Sequence, residues 1–109
     1  KKILALTSRP SAIFAANDAM ALGALSALRE MGVAVPGEIA LAGFDDVPIA
    51  PLLTPALSTV HVPISDLGAI AIQKLIHAFT EKNAHLKQHA LVPTNLVLRE
   101  SCGCAKQAR

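Results

Sequence analysis

At 109 residues the chain is one small domain or a piece of a larger one, able to bury roughly 60 to 70% of its unfolded surface. Hydrophobic residues make up 52% of it, yet there is no Trp, no Tyr and only three Phe, so its core must be aliphatic and rich in alanine. A dispersed net charge of +2 and the lack of any run of roughly 18 apolar residues argue against a DNA-reading face and a membrane span, and one Cys102-x-Cys104 pair makes no disulfide framework, which leaves a reduced, cytoplasmic setting as the expectation.

Lys1 to Leu6 has neither an initiator Met nor the length of a signal peptide and reads as the inside of a helix in a longer chain. From Ser11 to Ala16 the residues are apolar without alternation, as in a strand buried on both faces. Asn17-Asp18 then falls where a helix needs its N-cap, because a side-chain oxygen there accepts the free amides of the first turn. Gly32 closes that helix, and Pro36-Gly37 turns the chain. A second buried strand, Glu38 to Phe44, ends in another polar pair, Asp45-Asp46. Strand, helix and strand within about 35 residues form the βαβ unit of a parallel sheet.

Val47 to Pro55 holds three prolines and has room only for a short turn or helical piece. Leu57 to Val62 reads as a third strand. Pro63 opens a helix to about Thr80, with Ser65 and Asp66 as candidate caps and Leu67, Ile70, Ala71, Leu75 and Phe79 on one stripe. Glu81 to His89 is a polar loop. Ala90 to Arg99 is a last strand, which Pro93 confines to an edge or a bulge. Ser101 to Arg109 reads as a small, polar, mobile tail.

Ligands of open parallel sheets bind beyond the carboxyl ends of the strands, beside helix N-termini. Two successive strands here end in polar pairs, so Asn17, Asp18, Asp45 and Asp46 are expected at one edge of the sheet. Their amide and carboxylate groups suit sugar hydroxyls or ring N–H donors. Both pairs also have plain structural readings, as a helix cap and as an acidic turn. Between Ala19 and Met31 only Ser26, Arg29 and Glu30 are polar. One apolar stripe suffices to cover a sheet, and a second points to a subunit interface.

The G-x-S-x-G elbow, the H-E-x-x-H helix and the G-x-x-x-x-G-K-[ST] phosphate loop are all missing, so a binding protein is expected rather than an enzyme, with no catalytic residues. His85-x-x-x-His89 lies in the polar loop and Cys102-x-Cys104 in the tail, so neither a metal nor a cofactor is expected. His61 reads as a hinge or core histidine and His77 as a surface one.

Pro10-x-Ala12-Ile13-Phe14-Ala15-Ala16-Asn17-Asp18-x-Met20-Ala21-Leu22-Gly23-Ala24 is followed by Gly32-Val33-x-Val35-Pro36-Gly37-x-Ile39-x-Leu41-x-Gly43-Phe44-Asp45-Asp46 and by Thr54-Pro55-x-Leu57-Ser58-Thr59-Val60. With Leu96-Val97-Leu98-Arg99-Glu100-Ser101 near the end, this ordered set resembles the lactose/galactose repressor (LacI/GalR) family over nearly the whole chain. The resemblance implies an α/β, Rossmann-like lobe of a type I periplasmic-binding-protein-like core, in which a small-molecule effector sits between two lobes. Residues 1–62 and 89–101 would belong to the C-terminal lobe, 63–80 would be a helix of the N-terminal lobe, and 102–109 would be a tail. The DNA-binding headpiece is absent from this chain, as are the segments that supply the family's effector-gripping arginine and stacking aromatic.

Carried over by position, Asn17 and Asp45 match effector-binding residues, with Asp18 and Asp46 as cap and support. Leu22, Ser26, Ile49, Leu52 and Leu53 match positions where two subunits meet in a homodimer. The implied protein is a transcriptional regulator, read as a repressor, that binds operator DNA through the missing headpiece and answers a sugar ahead of a purine. The alternatives are a periplasmic sugar-binding protein of an uptake system and the sensor lobe of a longer fused signalling protein.

Overall fold

The computed structural model describes residues 9–80 and 89–104. The helix expected at Lys1 to Leu6, the loop Glu81 to His89 except for its last residue, and the tail from Ala105 onward lie outside the described residues. The chain divides into two compact units, Lys1–His61 with Asn95–Arg109, and Val62–Thr94.

In the first unit β1 (Ala12–Phe14), β2 (Ala40–Asp45), β3 (Ser58–His61) and β4 (Asn95–Val97) form one sheet in the order β1-β2-β3-β4. The first three strands are parallel, and β4 runs antiparallel to β3 with Val97 opposite Thr59. Helix α1 (Asp18–Glu30) makes the crossover from β1 to β2 and packs on β2 through Ala21, Leu25 and Leu28. Their spacing of four and three residues puts them on one stripe. Burying each leucine contributes about 1.5–3 kcal/mol.

The end of α1 is set by Gly32, whose φ of +69° lets the chain fold back over the last turn. The Val33 amide donates to the Leu28 carbonyl (2.9 Å) and the Gly32 amide to that of Arg29 (3.1 Å). This six-to-one and five-to-two pairing satisfies two carbonyls that the helix leaves open. It also delivers Val33 onto Leu28 and Ile39, which form one small core cluster. The larger cluster joins Ala15, Ala21, Leu25, Leu41, Ala50 and Leu57. The core is aliphatic and rich in alanine throughout, and Ala50 reaches it from a single 3-10 turn, Ala50–Leu52, in the proline-rich stretch.

Three expectations change. β1 spans three residues, pairs with β2 alone among the described residues and leaves Phe14 66% exposed, where burial on both faces is expected. An unbroken apolar run does not itself establish such burial. The last strand is Asn95–Val97 alone, because Pro93 has no amide to donate and pairing begins beyond it. The start of the supposed tail is anchored: Ser101 is wholly buried, its hydroxyl donating to the Leu41 carbonyl (2.7 Å) and accepting from the Ser58 amide (2.8 Å).

The second unit contains α2 (Ile64–Thr80). The Leu67 amide donates to the Pro63 carbonyl (3.0 Å), so Ser65 and Asp66 fall inside the first turn instead of capping it from outside. Asp66 there still complements the positive end of the helix dipole. None of the residues of α2 is buried, and Leu67, Leu75 and Phe79 of its apolar stripe are exposed.

Candidate functional site

The two polar pairs meet at the carboxyl edge of the parallel strands, and they do so with a clear separation of tasks. Asn17, extended in its backbone, is the N-cap of α1: its Oδ1 accepts the Met20 amide at 2.8 Å. The Nδ2 of the same side chain makes no hydrogen bond with any described residue. Asp18 does not cap. It is 2% exposed and turns inward, Oδ1 accepting the Thr59 hydroxyl (2.6 Å) and Oδ2 the Val47 amide (2.9 Å). Through this one carboxylate the start of α1 is tied to β3 and to the chain leaving β2. Gly43 leaves room for it, since a Cβ built there would run into Asp18 Oδ1.

Asp45 and Asp46 sit in consecutive positive-φ conformations, +108° and +56°. Such a backbone costs about 1–3 kcal/mol per non-glycine residue and persists only where its surroundings enforce it. The enforcement is visible at Asp46. Its Oδ1 accepts Arg99 Nη2 at 2.7 Å and its Oδ2 lies 3.0 Å from His61 Nδ1. Burial works against the Asp46 carboxylate, but the hydrogen bonds and charges of Arg99 and His61 outweigh it and hold the group below its ordinary value of 3.8. Arg99 is itself pinned, donating through Nη1 to the Leu57 carbonyl (2.8 Å) and through its amide to Ser58 Oγ (2.8 Å). Asp45 is half-buried at the last position of β2 opposite His61, and its side chain makes no hydrogen bond or ion pair with any described residue. The edge thus presents an amide nitrogen and a carboxylate that no described residue engages.

A second feature lies on the outer face of α1. Leu22 is 39% exposed and Ser26 is exposed, and with Leu25, Arg29, Leu53 and Thr54 they line a shallow hollow of ≈ 210 Å3. Ile49 and Leu52, flanking and ending the 3-10 turn, are also exposed, Leu52 by 78%. Met20 and Met31 add to the apolar surface of the helix.

Thr59, His61 and Arg99 were not among the residues singled out for the site. Thr59 looks like ordinary strand filler in Ser58-Thr59-Val60. Arg99 does carry a signal, since a lone arginine closing the apolar run Leu96-Val97-Leu98 needs a partner if it is partly buried. Among the described residues no group of three or more His, Cys, Asp or Glu side chains is arranged to hold a metal ion, and no helix is long and apolar enough to cross a membrane. His85 lies outside the described residues.

Residues 1–102 match the family described as periplasmic binding protein-like domain. The chain is 41% identical over 101 residues to the lactose operon repressor of Rhizobium radiobacter, covering 93% of this chain and 88% of that sequence. It is 40% identical over 93 residues to the ribose operon repressor of Escherichia coli K12, covering 85% of this chain and 28% of that one. Among solved structures, a LacI-type transcription regulator from Bifidobacterium animalis subsp. lactis superposes with a TM-score of 0.77 at 38% identity, over 85% of this chain and 33% of that chain. The chain therefore spans about a third or less of the ribose repressor and of the solved regulator.

Proposed function

The chain belongs to the LacI/GalR family, as a part of its periplasmic binding protein-like domain, and on that premise we propose that it is the C-terminal portion of the effector-binding, dimer-forming core of a transcriptional repressor. The observation that carries this reading is the sheet edge at which the Asn17 amide nitrogen and the Asp45 carboxylate are engaged by no described residue, Asp45 on a positive-φ backbone. Those groups bind a small-molecule effector, a sugar ahead of a purine, because paired donors and acceptors of this kind match vicinal hydroxyls. The relatives named for lactose and ribose operons support that choice. By the family resemblance α2 belongs to the N-terminal lobe, and an effector that contacts both lobes of such a core changes their relative orientation. Operator DNA is held by a headpiece outside this chain, which makes the cytoplasm the place of action. The protein binds and switches, and it catalyses nothing.

The test uses the full-length protein and a thermal-shift screen against sugars, nucleosides and bases, because a ligand that binds only the native state raises its melting temperature. A sugar is expected to give the shift and to alter operator affinity. Asn17→Ala and Asp45→Ala are each expected to weaken that effector by about 2 kcal/mol, some thirtyfold, the scale of a lost hydrogen bond to a charged or buried group. An unchanged response in both variants removes the assignment, and a purine as sole hit corrects the effector class.

The same core is proposed to dimerise through Leu22, Ser26, Ile49, Leu52 and Leu53. The full-length protein is expected to sediment as a dimer, and Leu22→Glu as a monomer with an unchanged far-ultraviolet circular dichroism spectrum. Leu22 is already partly open to water, so a charge there meets little resistance within one subunit. A monomeric parent, or a dimeric variant, rejects the interface.

A further inference from the structure

Where β2 and β3 begin, at the opposite end of β2 from Asp45, the chain makes a tight turn through Ser101 to Gly103. Buried Ser101 fixes its start, and Gly103 has a φ of +76° and donates its amide to the Glu100 carbonyl (3.0 Å). The turn folds Cys104 back on Cys102. The Cys104 amide donates to Cys102 Sγ at 3.4 Å, Cys102 Sγ lies 3.6 Å from the Arg99 carbonyl, and Cys104 Sγ lies 3.9 Å from the Cys102 carbonyl. Both thiols are free, Cys102 half-buried and Cys104 exposed.

The two sulfurs are not equivalent. Burial opposes a thiolate at Cys102, but hydrogen bonds from Ser58 and from the amide and thiol of Cys104 outweigh it and hold the Cys102 thiol below its ordinary range. The neighbouring Cys102 sulfur pushes the Cys104 thiol up. A thiolate is the nucleophile in sulfur exchange, and the second thiol resolves what the first has captured.

We propose that Cys102-Gly103-Cys104 is a thiol–disulfide exchange site that takes a low-molecular-weight disulfide of the glutathione type. The Cys102 thiolate attacks one sulfur of the disulfide, whose S–S bond breaks and releases one thiolate, leaving a mixed disulfide on Cys102. Cys104 gives its proton to water, and its thiolate attacks Cys102 Sγ and expels the second thiolate. Two protein thiols are oxidised to one disulfide, and one small disulfide is reduced to two thiols. The ring is tight, so the bond is of the labile kind that excess reduced thiol reopens.

The experiment exposes the intact protein to oxidised glutathione, quenches with acid, alkylates remaining thiols and maps the peptide that carries Cys102 and Cys104 by mass spectrometry. The parent is expected to lose two hydrogens across Cys102 and Cys104 and to retain no glutathione. Cys104→Ser is expected to keep one glutathione on Cys102. Quenched at early times, the parent is expected to carry its transient glutathione on Cys102 rather than on Cys104. Stable glutathione on both cysteines of the parent, no adduct in Cys104→Ser, or an early adduct on Cys104 of the parent would each overturn the proposal. None of these readouts depends on effector binding.

Discussion

Asp18→Ala is expected to lower the stability of the intact protein by about 3–5 kcal/mol, read as a fall in the urea midpoint. The carboxylate is 2% exposed and accepts two hydrogen bonds, from the Thr59 hydroxyl and the Val47 amide. Removing it strands the Thr59 hydroxyl where water does not reach and the Val47 amide where it is partly shielded, and a stranded buried donor costs about 1–3 kcal/mol. It also unfastens three segments at once: the start of α1, the middle of β3 and the chain beyond β2. Thr59→Val removes one donor and keeps the acceptor, so about 1.5–3 kcal/mol is expected. The double variant is expected to lose less than the sum of the two single ones, because the groups are direct partners. Gly43→Ala offers an independent check. Its Cβ would displace Asp18 Oδ1, the atom that holds Thr59, without deleting any hydrogen-bonding group. A loss below 1 kcal/mol for Asp18→Ala, or strict additivity with Thr59→Val, would mean that the network is an incidental contact.

The same residue shows where sequence reasoning ends. That Asn17-Asp18 marks the passage from strand to helix is readable from the change of pattern alone, and so are the βαβ order, the closing Gly32 and the apolar outer face of α1. Which member of the pair caps is not readable, since Asn and Asp are about equally good caps. The choice is made by Thr59, forty-one positions away, whose hydroxyl gives the buried carboxylate a partner. Asp45-Asp46 is similar. The acidic pair at the end of a strand is plain in the sequence, whereas the two positive φ values depend on His61 at the end of β3 and Arg99 beyond β4 meeting Asp46. Ser101 looked like the first residue of a loose tail because a small polar residue near a chain end carries no signal of its own. Its burial follows from bonds to Leu41 and Ser58, on two different strands. In each case local pattern located the element, and long-range polar pairing assigned the role.

Arg99→Leu is expected to destabilise the protein by about 2–4 kcal/mol at neutral pH and to weaken effector binding by about tenfold or more, although Arg99 is not proposed to touch the effector. Its side chain and that of Asp46 are 18% and 15% exposed, so the pair is largely withdrawn from water. Without the guanidinium, the Asp46 side chain retains only His61 among the described residues, and the Leu57 carbonyl loses a donor. The carboxylate then has less reason to hold Asp46, and hence Asp45, in a left-handed backbone, and the effector must bear the cost of restoring it. Acid provides the discriminating measurement. The folded-state value of Asp46 is depressed below 3.8, so its pairing stabilises the fold above that pH and ceases to do so as the pH falls through the lowered value. The stability gap between parent and Arg99→Leu is therefore full at pH 7 and narrows as the pH drops below 3.8, because protonating Asp46 removes from the parent what the variant already lacks. Arg99→Lys restores the charge but not the fork that reaches Asp46 and Leu57 together, so partial recovery of stability is expected with less recovery of affinity. A gap that stays constant into acid would show that Arg99 acts by packing alone, and unchanged affinity in Arg99→Leu would show that the Asp45 backbone needs no such support.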